Sequence, residues 1–269
     1  MKYFAFLLYF TLQFAAENFA QNVCGARMAG LSGSAISQAD AFAGFNNLSA
    51  SGQLKGLSYA FYGQMPYGIL EIKDAGVSIL QHFGTGVMGV VFRSYGNTEF
   101  NRQRMNLGYC LPLSNKFSAS ASLGYSSTRI SNGYGKAHTL WTNLGATYDV
   151  RKDWKWAAVI DLPASALKNA EEQPATLRVA TTYSFGEQVA LSAQVISATN
   201  AQSSVSYSFG LEYNPVETLS LRFGMNTFWQ TWSIGVGTKF WNCSFDAAAV
   251  VHPQLGLTPQ ISLIYEIEK

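Results

Sequence analysis

Charge is scarce in this chain. Asp, Glu, Lys and Arg make up 13% of its 269 residues, about half the share usual in soluble domains. The 18 basic residues nearly cancel the 16 acidic ones, leaving a net charge of +2. No basic stripe with interleaved aromatics occurs, which excludes a nucleic-acid partner. Cysteine is also sparse: Cys24, Cys110 and Cys243 are odd in number, widely spaced and form no metal-like cluster, so they read as structural. No cofactor or metal is expected. No apolar run of about 20 residues follows the N-terminus, which excludes a helical membrane protein. Aromatics, by contrast, reach 14%. Low charge, many rings and no spanning helix together describe a membrane β-barrel.

The first stretch, MKYFAFLLYFTLQFAAENFAQ, has the form of a secretory signal peptide. Lys2 supplies the positive region, Phe4 to Ala16 the apolar one, and Ala20 the cleavage edge. Three divisions follow: a signal peptide at 1–20, a segment at 21–53 and a barrel at 54–269. The middle segment is rich in Gly, Ala and Ser with no sustained alternation. Small residues let backbone approach backbone, which suits a plug folded into a lumen. Asp40 is placed to cap a short helix running to Phe45.

From Leu57 onward the pattern is strand and turn. In VSYSFGLEY, Val205, Tyr207, Phe209, Leu211 and Tyr213 alternate with Ser206, Ser208, Gly210 and Glu212. Successive side chains on a strand point to opposite faces, so one wall is greasy and the other small and polar. TLRVATTYSF, FSASASLGYS and LSLRFGM repeat the pattern. Fourteen strands are predicted, near 57–63, 76–83, 87–95, 99–111, 116–130, 138–149, 154–161, 176–185, 188–197, 203–213, 218–226, 231–240, 243–251 and 258–267. The faces of the third strand, VMGVVFRSY, are ambiguous.

The connections sort by parity, except that two odd-placed links, around Gly96 and Thr227, are short. Even-placed links (FGTG, PLSN, RKD, GE, NPVE, FWN) are short. Odd-placed links include GQMPYGILEIKD, SNGYGKA, LPASALKNAEEQPA and HPQLGLT. Outer-membrane barrels have short periplasmic turns, longer external loops and an even strand count. Rings gather near strand ends, at Trp154, Trp156, Tyr183, Phe185, Tyr213, Trp229, Trp232, Phe240 and Trp241, as interfacial girdles do. The fold class is therefore an all-β, fourteen-stranded antiparallel transmembrane β-barrel with an N-terminal luminal hatch. Its place is the outer membrane of a Gram-negative cell, with outer-membrane lipid around it. Closure requires the first and last strands to pair.

Gly25, Ala26, Arg27, Gly30, Gly33, Ala35, Ala39 and Asp40, followed by Asn46 and Asn47, form a short N-terminal signature. On these residues the chain resembles outer-membrane barrels of the PorV/PorQ type, relatives of the FadL long-chain fatty-acid transporters. The family's Asn-Pro-Ala element lacks its proline here, in FNNLSASGQL. The resemblance implies fourteen strands and a hatch made by the N-terminal segment. For PorV-type members it implies partnership with the type IX secretion machinery, and for FadL members passage of hydrophobic molecules. The leading expectation is a plugged accessory barrel with secretion-machinery partners, and the alternative is a transporter with a small hydrophobic ligand.

Charges that face inward by parity are Arg178, Glu212, Arg222, Lys239 and Asp246, with Arg102 and Arg104. An Arg facing lipid at the midplane costs about 2–4 kcal/mol, which favours the inward assignment. Buried charges need partners. Arg27 and Asp40 of the plug are the natural counterparts, and Glu212 is the first place to look for such a contact. No enzyme is expected. Ser244, Asp246 and His252 share a strand, but a rise of about 3.3 Å per residue sets Asp246 and His252 roughly 20 Å apart. GIL at 68–70 is a candidate short helix or lid, and the loop at 162–175 a candidate partner surface.

Overall fold

The computed structural model describes residues 23–131, 135–164, 174–198 and 205–267. The signal-peptide expectation at 1–20 lies outside the described residues, as does most of the loop at 162–175. The strands are β1 (Leu57–Gln64), β2 (Lys73–Phe83), β3 (Gly86–Gly96), β4 (Phe100–Pro112) and β5 (Phe117–Ile130). Next come β6 (Gly135–Arg151), β7 (Trp154–Pro163), β8 (Thr176–Phe185), β9 (Val189–Ala198) and β10 (Val205–Val216). The set ends with β11 (Leu219–Asn226), β12 (Thr231–Phe240), β13 (Cys243–His252) and β14 (Gly256–Ile267). Every strand pairs antiparallel with its sequence neighbours, and β1 pairs β14 from Leu57↔Ile267 to Gln64↔Gln260. The sheet is a closed fourteen-stranded barrel with no free edge.

Alternation sets the two walls. On β10, Ser206, Ser208 and Glu212 are buried inside, while Val205, Tyr207, Phe209, Leu211 and Tyr213 are exposed outside. The same outward band continues through Leu123, Leu140, Leu191, Phe223, Ile234 and Ile261. A contiguous apolar exterior of this extent belongs against hydrocarbon. Among the described residues no helix is long and apolar enough to cross a membrane.

Several boundaries differ from expectation. Asn214 and Pro215 are not a turn: β10 runs to Val216, with a register shift between Tyr213 and Val216. A bulge accommodates a proline, which has no N–H for the ladder. The ladder takes in parts of HPQLGLT and SNGYGKA, continuing outward to His252↔Gly256 and Ile130↔Gly135. GIL at 68–70 is not a helix. The helical turn is Pro66–Gly68, and Ile69 and Leu70 are exposed beyond it. That turn folds over β14, with the Tyr67 N–H donating to Thr258 Oγ1 at 2.8 Å.

Inside the barrel sits the segment from Val23 to Ser51, with helices α1 (Ala26–Gly30) and α2 (Ala43–Asn46) and a 3-10 turn at Leu48–Ser51. Asp40 is not the cap of α2, whose N-cap is Phe42. Its carboxylate accepts from the Phe42 N–H at 2.8 Å, in the turn that leads into the helix. The hydrophobic core lies between this segment and the wall. Met28, Leu31 and Ile36 pack with Ala157, Val159 and Ala180, and Leu48 packs with Leu80, Val87 and Cys110. Backbone meets backbone where glycines face each other. A Cβ on Gly30 would stand 3.1 Å from Gly235 Cα, and one on Gly224 would stand 2.6 Å from Ser32 N.

Candidate functional site

The serine wall makes hydroxyl contacts with the plug. Ser32 meets Ser233 at 2.8 Å, while Ser34 meets Ser192 and Ser37 meets Thr182, both at 2.7 Å. The Ala26 N–H donates to Ser262 Oγ at 3.1 Å. Short side chains bring both backbones close and still satisfy buried polar groups, which would otherwise be costly.

Toward the end of the barrel with short turns lies a charged latch. Arg27 is bidentate on Glu212, with Nε to Oε2 and Nη2 to Oε1 both at 3.0 Å. It also hydrogen-bonds Gln38 and stands 3.5 Å from Asp40. Arg222 joins the same carboxylate, Nε to Oε2 at 2.7 Å, and donates from Nη1 to Asp246 Oδ1 at 2.6 Å. The chain Asp40–Arg27–Glu212–Arg222–Asp246 thus runs from plug to wall across β10, β11 and β13. Burial pushes the Asp40 carboxyl above the ordinary range, against the pull of Arg27.

The other named residues take different places. Asn46 exchanges bonds with the Cys24 backbone, donating to its carbonyl at 2.9 Å and accepting from its N–H at 3.3 Å. Asn47 donates to the Ile36 carbonyl at 2.8 Å and to Thr147 at 3.1 Å, and its Oδ1 accepts from the Ser49 N–H at 3.2 Å. Both asparagines tie the plug to itself, and Asn47 ties it also to the wall. Arg178 faces inward but meets Asp161 of β7 at 3.1 Å, away from the latch. Lys239 is exposed at the short-turn rim and joins none of these groups. Ser244, Asp246 and His252 do not converge: Asp246 belongs to Arg222, and His252 Nδ1 accepts from the Gln254 and Leu255 N–H groups.

A second cluster escaped the sequence reading. Asp74 is buried and held by Arg93, Nε to Oδ1 at 2.9 Å and Nη2 to Oδ2 at 2.5 Å. Tyr62 donates to Asp74 at 2.9 Å and accepts from the Cys24 thiol at 3.4 Å. This group fastens the start of the plug to β1–β3. Placing the start of β2 at 76 left Asp74 in a loop, and the ambiguous faces of β3 concealed Arg93.

Above the plug, toward the end with the longer links, is a cavity of about 170 Å³. Its floor is plug: apolar Val23, Met28, Ile36 and Phe45, with Ser32 and Asn46 between them. Its wall mixes Arg93, Arg104, Asn106, Trp141, Asp161 and Arg178 with Val91, Ile196 and Trp229. Trp141 lies flat across β5 because that strand has glycine there: a Cβ on Gly124 would fall 1.4 Å from Trp141 Nε1. The indole then donates to Asn106 Oδ1 at 3.1 Å, and Arg104 sits over the ring, 4.9 Å from its centroid.

No protein-family model matches the chain, and neither does any curated protein. Solved structures do share its fold. It is similar to the CymD monoaromatic hydrocarbon channel, with a TM-score of 0.69 and 13% identity over 94% of this chain and 100% of that one. The toluene transporter TodX of P. putida gives 0.64 and 11%, over 93% and 100%. A Pseudomonas aeruginosa FadL homologue gives 0.67 and 10%, over 90% and 98%. At these identities the likeness shows the fold: a closed barrel of the outer-membrane type.

Proposed function

We propose that this barrel passes small, largely apolar molecules across a Gram-negative outer membrane, with the plug as its gate. The observation that carries the reading is the cavity between the plug and the longer links, floored by Val23, Met28, Ile36 and Phe45. A largely apolar floor with a few convergent polar groups is the usual composition of a small-molecule site. The similar structures include a monoaromatic hydrocarbon channel and a toluene transporter, which supports passage over a link to secretion machinery.

Hydrogen-bonded pairing is continuous around the barrel, and the plug packs on the wall below the cavity. Onward movement therefore requires part of the plug to shift. The latch and the Asp74 cluster hold the plug against that movement. Remote binding free energy from a seated molecule offsets the loss of such contacts only if the shifted state holds the molecule better.

The test is uptake of labelled toluene by cells whose outer membrane carries the barrel, compared with cells lacking it. Faster uptake at low concentration supports the reading; identical rates with the folded barrel present refute it.

A further inference from the structure

The cavity is not neutral. Arg93 is held by Asp74, and Arg178 by Asp161. Arg104 has no carboxylate within ion-pair distance among the described residues; its partner is the face of Trp141. Two residues toward the external rim, Arg102 donates to Thr128 at 3.2 Å and sits over the Phe100 ring. It too meets no carboxylate among the described residues. Arg178 keeps Asp161 at 3.1 Å, so Arg104 is the guanidinium of the cavity wall that meets no carboxylate among the described residues.

Arginine stacked on an aromatic face keeps its in-plane N–H fork free for a planar anion. Carboxylates accept such forks bidentately. Beneath this fork lies a largely apolar floor, and the space of about 170 Å³ suits a ligand the size of a single ring rather than a long chain.

We infer that the cavity recognises a ring-sized organic anion, an aromatic carboxylate, with its carboxylate on Arg104 and its ring against Trp141 and the plug floor. The inference rests on the passage reading above and adds a charge requirement to it. A neutral hydrocarbon would fill the floor and leave Arg104 without a carboxylate. An anion supplies one, and the pair Arg102 and Arg104 would draw it inward from the rim.

The experiment compares benzoate with toluene, one ring with and without the charge, by calorimetric titration of the full detergent-solubilised protein. Benzoate is expected to bind at least tenfold more tightly. Arg104→Gln should abolish that preference and Arg104→Lys should retain part of it, with folding of each variant checked by heat-modified gel mobility. The preference in the unaltered protein is decisive even if a variant fails to fold. Equal or tighter binding of toluene, or a preference unchanged in Arg104→Gln, overturns the anion reading. Toluene binding without preference leaves passage standing, whereas binding of neither ring defeats both.

Discussion

Glu212→Gln is the substitution that tests whether the plug is held by charge. The carboxylate accepts three charged donors, two from Arg27 and one from Arg222. A carboxamide can accept at its oxygen only, and its amino group would face a guanidinium. Removing one partner of a buried pair costs about 3–5 kcal/mol. Arg27 keeps slight solvent access and Arg222 retains Asp246, so we take the lower end, about 3 kcal/mol. The barrel's strand ladder does not depend on the pair, so the loss falls on plug docking. At 1.4 kcal/mol per decade, the population with the plug undocked rises roughly 100-fold. Cys24, a plug residue three positions from Arg27, provides the readout, since it is 2% exposed with the plug docked. In a background with Cys110 and Cys243 replaced by serine, maleimide labelling of Cys24 follows the open population when reclosing is fast. A rise near two decades, with barrel circular dichroism unchanged, is expected. If labelling stays within about threefold of the parent, the latch does not hold the plug.

The other expectations are briefer. Gly224→Ala drives a Cβ into the backbone at Leu31 and Ser32; overpacking of this sort costs about 1–3 kcal/mol, and Cys24 labelling should speed up accordingly. Asp74→Asn leaves the Arg93 guanidinium without its carboxylate, and plug release measured by limited proteolysis should increase. Phe209→Arg places a cation on the lipid-facing wall and should lower folding stability in bilayers by about 2–4 kcal/mol, read from urea titration. The inward neighbour Ser208, replaced by Ala, should change that titration far less, and an equal effect would contradict the assignment of the two walls.

Alternation made the walls legible. In VSYSFGLEY the period of two separated Phe209 from Ser208 before any pairing was known, and the same reading located fourteen strands with small errors at their ends. Those errors mattered where a charge sat at a boundary. Asp74 begins the ladder beside Gln64, yet it looks like loop because DAG carries no alternation of its own. Pro215 looked like a turn because a proline in a ladder needs a bulge, and a bulge has no local signature stronger than the proline itself. Parity also says which wall a side chain faces, not how high it stands or what it meets. Arg178 and Arg222 are alike in the sequence, each inward in an alternating strand. One meets Asp161 beside the cavity and the other Glu212 and Asp246 beneath it. That difference is set by the stagger of neighbouring strands around a closed barrel, which is a property of all fourteen pairings together. The cavity has the same origin. Arg104 and Trp141 are thirty-seven positions apart on strands that do not pair. They meet because Gly124, on the strand between them, leaves the wall flat enough for an indole to cross it. Replacing that glycine with alanine should lift the indole from Asn106 and uncover the guanidinium, so the missing side chain on β5 is as much a part of the site as the two that line it.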